Sequence, residues 1–279
     1  SVTPRIGFIV PQCYPSIRLQ TITTRRNPLV ARFRDMARGD ADGGLLLDGA
    51  HLVGDALGAG LRIRQVIASA GALDRPDIRA ILEALGDDVE VSAATSMVMD
   101  AVSPVRSASG IVAIADRPAN NAERMYAGAG TLVVVAVDVQ DPGNLGAIVR
   151  VAEAGGATGV VAAGISANPF SWKALRGSMG SSLRVPIAVD RDAGAAISEA
   201  RRRGCRIVAT VPRGGDPPAG ADLRGPVALL IGSEGAGIST DAIEAADARV
   251  TIPMRAPVES LNAAVAAALL IYEARRQRT

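Results

Sequence analysis

Residues 138–150, DVQDPGNLGAIVR, follow the apolar run TLVVVAV (131–137) without a break, and their reading decides the fold. A run that is apolar at consecutive rather than alternate positions is what a strand covered on both faces requires. Asp141, Pro142, Gly143 and Asn144 then supply a turn and a helix start, with Asn144 expected as the N-cap. Leu145, Ile148, Val149 and Ala152 recur at helical spacing after it. Strand, turn and helix in that order make one unit of a parallel α/β sheet. Five more short apolar runs, GVVAA, PIAV, RIVATV, VALLI and RVTI, follow between segments of helical period. Residues 131–279 therefore read as a doubly wound α/β domain, and Leu261, Val265, Leu269 and Tyr272 form a second helical stripe near its end.

Upstream, residues 116–130 (DRPANNAERMYAGAG) lack an apolar period and read as a linker. Residues 25–115 alternate between strand-like runs (LLLDG, RQVIAS, DVEVS, GIVAIA) and helical segments, beginning with a helix from Pro28 to Arg38, and predict a smaller α/β domain. Residues 1–24 contain three prolines and no periodicity, and are read as a poorly ordered arm.

Composition bounds the function. The chain has 279 residues, 48% of them apolar, enough for two packed cores. Its longest apolar runs are far short of a membrane span, and GFIV near the start is too short for a signal-peptide core, so no membrane role and a cytoplasmic location are expected. Cys13, Cys205 and His51 assemble neither a disulfide framework nor a zinc site, and no metal is expected. Net charge is only +2, but twenty-nine of the thirty basic residues are Arg and they cluster, seven of them within residues 1–40. Guanidinium forks suit phosphate, although codon bias toward Arg and Ala is the larger cause of that count.

Two further motifs lie downstream. In LLIGSEGAG (229–237) glycines crowd behind a strand, where main chain can approach a bound molecule. In TIPMRAPVESLN (251–262) a strand runs through Pro253 into a loop that opens a helix. A nicotinamide-binding reading of Gly235-Ala-Gly237 fails, because the third glycine of that fingerprint is absent and the segment lies far from the first βαβ unit.

The three motifs together resemble the signature of the TrmH (SpoU) branch of the SPOUT superfamily, the knotted RNA ribose methyltransferases. The resemblance is tight over roughly the last 150 residues. It implies a parallel-sheet domain with a deep trefoil knot, which no rule of chain connection would suggest. It also implies an S-adenosylmethionine-dependent RNA 2′-O-methyltransferase. The main chain of Gly232, Ile252 and Leu261 would hold the cofactor, with Thr210 and Met254 nearby. Asn144, Arg150, Glu234, Ser260 and Asn262 would form the catalytic cluster, completed in a homodimer. Ala256 stands where the family usually has Gly. The family assigns proton acceptance to the Arg at position 150. Because a guanidinium stays protonated, binding the target phosphate and positioning the hydroxyl is the better chemical role for it.

LLLDGAHLVGDAL (45–57) resembles the ribosomal-protein-L30e-like domain that ribosomal members carry ahead of the catalytic domain, with Asp48 where Glu is frequent. This implies ribosomal RNA, of the 23S type, in preference to tRNA. Arg25, Arg26, Arg32 and Arg176 are the expected RNA contacts. Competing readings are a tRNA 2′-O-methyltransferase and a catalytically silent RNA-binding or ribosome-assembly protein. The intact set of motif residues argues against the silent one.

Overall fold

A computed structural model describes residues 20–39, 43–105, 109–119 and 122–279. The N-terminal unit comprises β1 (Gln20–Ile22), α1 (Pro28–Arg38), β2 (Gly44–Asp48), α2 (Ala50–Gly58), β3 (Ile63–Ser69), α3 (Pro76–Ala84), β4 (Glu90–Ala94), α4 (Ser96–Val102) and β5 (Ile111–Asp116). Its sheet runs β1-β4-β3-β5-β2, with β1, β4 and β3 parallel and β5 antiparallel to both neighbours. Helices α2 and α3 bury Leu52, Val53, Ile78 and Leu82 on one face, while α1 and α4 bury Val30, Phe33, Val98 and Met99 on the other.

The local causes are visible in α1. Asn27 accepts a hydrogen bond from the Leu29 amide, Pro28 occupies the first turn, and Gly39 closes the helix at φ 83°. The arm expected over residues 1–24 needs correction at its end. Gln20–Ile22 pair with Ser92–Ala94 as an edge strand and Ile22 is buried, whereas residues 1–19, with Cys13, lie outside the described residues. Three residues are too few to show a period in the sequence.

The stretch 116–130 is also more structured than a linker. Asp116 ends β5, and α5 (Ala122–Met125) drives the fully buried Met125 against Gly159.

The C-terminal unit continues with β6 (Leu132–Val137), α6 (Pro142–Gly155), β7 (Gly159–Ala163), α7 (Trp172–Ser178), β8 (Ile187–Asp190), α8 (Ala193–Arg202), β9 (Arg206–Thr210), β10 (Val227–Gly232), α9 (Thr240–Glu244), β11 (Ala248–Val250) and α10 (Ala263–Arg278). The six strands are all parallel, in the order β11-β9-β10-β6-β7-β8. All six correspond to apolar runs in the sequence. Alternate residues of β6 face opposite layers, Leu132, Val134 and Ala136 toward α6 and α10, and Val133, Val135 and Val137 toward α8. This two-sided burial is the reason the strands read as continuous apolar runs.

The stripe Leu145, Ile148, Val149 and Ala152 of α6 is fully buried, as expected. The stripe on α10 is not. Val265, Leu269 and Tyr272 are 48%, 47% and 51% exposed, and the helix buries Ala263, Ala267, Leu270, Ile271 and Ala274 instead. Leu270 and Ile271 pack inward together with these alanines against the sheet and α6, and Val265, Leu269 and Tyr272 are left outside.

The two units pack on one another. Leu175 and Leu183 of the C-terminal unit join the core of the N-terminal one, and the Arg117 guanidinium sits 5.9 Å from the Phe170 ring centroid. Arg184 lies between Glu153 at 2.7 Å and Asp55 at 3.4 Å, and its hydrogen bonds hold the Glu153 carboxyl below the usual carboxylate range.

Candidate functional site

The three motifs all emerge at the carboxyl ends of parallel strands, β6, β10 and β11, where open α/β sheets bind ligands. In the first motif the helix cap is Asp141 rather than the expected Asn144: the Asp141 carboxylate accepts from the Asn144 amide at 2.7 Å. Pro142 takes the first helical position, where its missing amide donor costs nothing. This shift of three residues releases the Asn144 side chain from capping.

That side chain meets the other two motifs. Asn144 Nδ2 donates to Glu234 Oε1 at 2.9 Å, Asn262 Nδ2 donates to Asn144 Oδ1 at 3.0 Å, and Asn262 Nδ2 also donates to Glu234 Oε1. Asn262 serves as N-cap of α10 as well, its Oδ1 accepting from the Ala264 and Val265 amides. Residues 90 and 118 positions apart in sequence are thus locked into one polar triangle.

Beside the triangle opens a cavity of about 650 Å³, within the range of small-molecule sites. Thr210, Gly232, Ile252, Met254, Ser260 and Leu261, all anticipated from the sequence, line it. The Thr210 hydroxyl is anchored to the Leu230 carbonyl at 2.9 Å. Gly232 is required sterically, since a Cβ there would lie 2.5 Å from the Gly237 carbonyl carbon. Among the described residues no protein group pairs with the main-chain amides of Ile252, Met254 or Leu261. A cavity with apolar walls and unengaged main-chain amides suits a purine nucleoside, whose ring edge carries acceptors and whose face is apolar. A smaller cavity of about 280 Å³ adjoins it, bounded by Asp138, Asn144 and Glu234. Asp138 holds φ 56° there, fixed by its carboxylate accepting from the Ile165 amide at 2.9 Å.

Ser260 lines the larger cavity and has no bond to the Asn144–Glu234–Asn262 triangle. Arg150 is not in the triangle either. It is exposed on α6, about 9 Å further along the helix axis than Asn144, and among the described residues it has no hydrogen-bond or ion-pair partner. Arg26, Arg32 and Arg176 are exposed, and Arg25 donates to the Met97 carbonyl. His51 is an exposed residue of α2, 3.5 Å from Asp55, and Cys205 is buried. No group of three His, Cys, Asp or Glu among the described residues is arranged to hold a metal ion. Two charged residues at the larger cavity, Arg213 and Glu259, were not assigned a role from the sequence: Arg213 lies in a loop without a motif signal, and Glu259 lies within the third motif beside the Ser260 and Asn262 that the resemblance singles out.

Comparison with known proteins adds independent information. Residues 131–272 match the SpoU rRNA Methylase family. The chain is 30% identical to the 23S rRNA (guanosine(2553)-2′-O)-methyltransferase RlmP of Bacillus subtilis, covering 82% of this chain and 88% of that protein. It is 31% identical to an uncharacterized tRNA/rRNA methyltransferase of Synechocystis, covering 93% and 95%. Among solved structures, the SpoU methyltransferase AviRb from Streptomyces viridochromogenes, in complex with AdoMet, superposes with a TM-score of 0.82 at 30% identity, covering 90% of this chain and 98% of that one. With the motifs, the family match and the extent of these similarities in agreement, the chain belongs to the SpoU rRNA methylase family.

Proposed function

We propose that this protein transfers a methyl group from S-adenosylmethionine to a ribose 2′-hydroxyl of 23S-type ribosomal RNA. The observation that carries the reading is the Asn144–Glu234–Asn262 triangle beside a nucleoside-sized cavity whose loop amides are unengaged. The cavity fits the cofactor: main chain of Gly232, Ile252 and Leu261 would hold the adenosine, with Thr210 and Met254 against it. Bound there, S-adenosylmethionine supplies an electrophilic sulfonium methyl.

The chain's own residues then have three tasks. The triangle holds the two loops that form the cavity wall in fixed relation to the start of α6, so that the methyl acceptor meets a prearranged site. Ser260, on the cavity wall, is available to hydrogen-bond the acceptor. Arg150 binds the target phosphate and orients the 2′-hydroxyl as a permanently charged fork.

Arg150 lies outside its own protomer's triangle, so this assignment needs a second copy of the chain. The exposed Val265, Leu269 and Tyr272 of α10 provide an apolar surface for that homodimer. The N-terminal unit, as an L30e-like RNA-binding domain, would present Arg25, Arg26 and Arg32 to RNA, with Arg176 on the catalytic side. The knot belongs to the same reading. It is supported by the segment around Gly215 and Asp216 crossing tightly over β11, where Asp216 bridges Val250. Ribosomal RNA as substrate implies a cytoplasmic protein.

Incubation with methyl-tritiated S-adenosylmethionine and total RNA from cells lacking the protein tests the proposal. A labelled 2′-O-methylnucleoside in 23S-sized RNA that disappears with Arg150→Ala is the expected result. Label in tRNA-sized RNA would overturn the ribosomal assignment, and cofactor binding without transfer would overturn the enzymatic one.

A further inference from the structure

The larger cavity carries three charged side chains, Arg213, Glu234 and Glu259. Glu234 is engaged by Asn144 and Asn262. One cation and one anion remain, on separate loops: Arg213 just after β9, and Glu259 between β11 and α10. Arg213 Nη2 stands 3.9 Å from Glu259 Oε1, and the two side chains are 85% and 84% exposed.

As a stabilising contact this pair is worth little. It is too long for a hydrogen bond, and exposed ion pairs contribute only about 0–1 kcal/mol. Yet the main chain carrying Arg213 is tightly secured. The Val211 amide donates to the Val250 carbonyl at 2.9 Å, the Gly215 amide to Thr251 Oγ1 at 2.9 Å and the Asp216 amide to the Arg249 carbonyl at 2.9 Å. Gly215 presses so closely on β11 that a Cβ would stand 2.8 Å from the Arg249 carbonyl. The main chain that carries Arg213 is therefore held at the lip of the cavity from both sides, which keeps the guanidinium within reach of its mouth.

We propose that Arg213 and Glu259 clasp the zwitterionic amino-acid end of the cofactor, Arg213 taking the α-carboxylate and Glu259 the α-ammonium. This rests on the assignment of the cavity to S-adenosylmethionine. An α-amino acid presents one anion and one cation on a single carbon, and the cavity mouth presents one guanidinium and one carboxylate a single contact apart. Entry of the ligand exchanges a long, water-exposed ion pair for two charge-assisted hydrogen-bonded pairs. The main-chain wall recognises any adenosine, and the clasp adds selection for the amino-acid tail. An adenosine phosphate would gain from Arg213 but be repelled by Glu259.

Isothermal titration with S-adenosylhomocysteine and with 5′-methylthioadenosine tests this without catalysis. Both carry the adenosine and a thioether, and only the first has the amino-acid end. The wild-type protein is expected to bind S-adenosylhomocysteine at least about tenfold more tightly than 5′-methylthioadenosine. Arg213→Ala and Glu259→Ala are each expected to weaken S-adenosylhomocysteine by about tenfold while leaving 5′-methylthioadenosine within about twofold, which also shows that the cavity has stayed folded. Equal weakening of both ligands, or no weakening of S-adenosylhomocysteine, would overturn the clasp. Equal wild-type affinity for the two ligands would overturn the clasp alone, whereas no wild-type binding of either would overturn the cofactor assignment beneath it.

Discussion

Asn262 has two duties that chemistry can separate. Its Oδ1 caps α10, and its Nδ2 ties Glu234 and Asn144 together. Replacement by Asp keeps the acceptor oxygen and so keeps the cap, but it removes the donor and sets a second carboxylate against Glu234. Asn262→Asp is expected to hold the thermal midpoint near that of the native protein while single-turnover methyl transfer falls by about ten- to a hundredfold. Asn262→Ala loses both duties and should also lose about 1 kcal/mol of stability. Equal stability losses in the two variants, measured by denaturant unfolding, would contradict the division. The site was half legible at this scale. Asn144, Glu234 and Asn262 stood in motifs, but the identity of the cap did not, because Asp141 and Asn144 are both good capping residues and only the backbone angles at Asp141 distinguish them.

At the scale of elements, α6 is positioned by what it lacks. A Cβ at Gly146 would meet the Ala174 carbonyl oxygen at 2.4 Å and the Ser178 amide at 2.9 Å, so α6 and α7 cross with main chain nearly touching main chain. Neither of those neighbours is a flexible side chain that can swing aside. Gly146→Ala is therefore expected to destabilise by about 1–3 kcal/mol despite its better helix propensity. A gain in melting temperature would show that α7 yields to accommodate the methyl. The crossing matters to the site because it sets the angle at which α6 delivers Asn144 to Glu234. Helix α10 shows the limit of pattern reading: Val265, Leu269 and Tyr272 have helical spacing, yet they face outward. Spacing identifies a face, and the direction of that face depends on how the helix docks: here Ala263, Ala267, Leu270, Ile271 and Ala274 form the inward one.

At the scale of the whole molecule, the proposed role of Arg150 requires a second chain, and the exposed apolar face of α10 is the surface proposed to receive it. If Arg150 serves the partner's triangle, Arg150→Ala and Asn262→Ala homodimers are each nearly inactive, but mixing and refolding them restores one intact site in every mixed dimer. With half of the dimers mixed, recovered methyl transfer should approach about a quarter of the native rate. No recovery, with mixed dimers verified by differential tagging, would place Arg150 in the service of its own protomer or of RNA alone.

The sequence by itself determined the six strands of the catalytic unit, their parallel arrangement and the family, because two-sided burial and glycine- and asparagine-bearing turns leave local marks on the chain. Only the tertiary structure decided that Gln20–Ile22 join a sheet, that Met125 anchors the supposed linker, and that Asn144, Glu234 and Asn262 touch. It alone brought Arg213 and Glu259 to one cavity mouth. These are contacts between residues tens of positions apart or more, and in an exposed loop no periodicity records the partner that folding will provide.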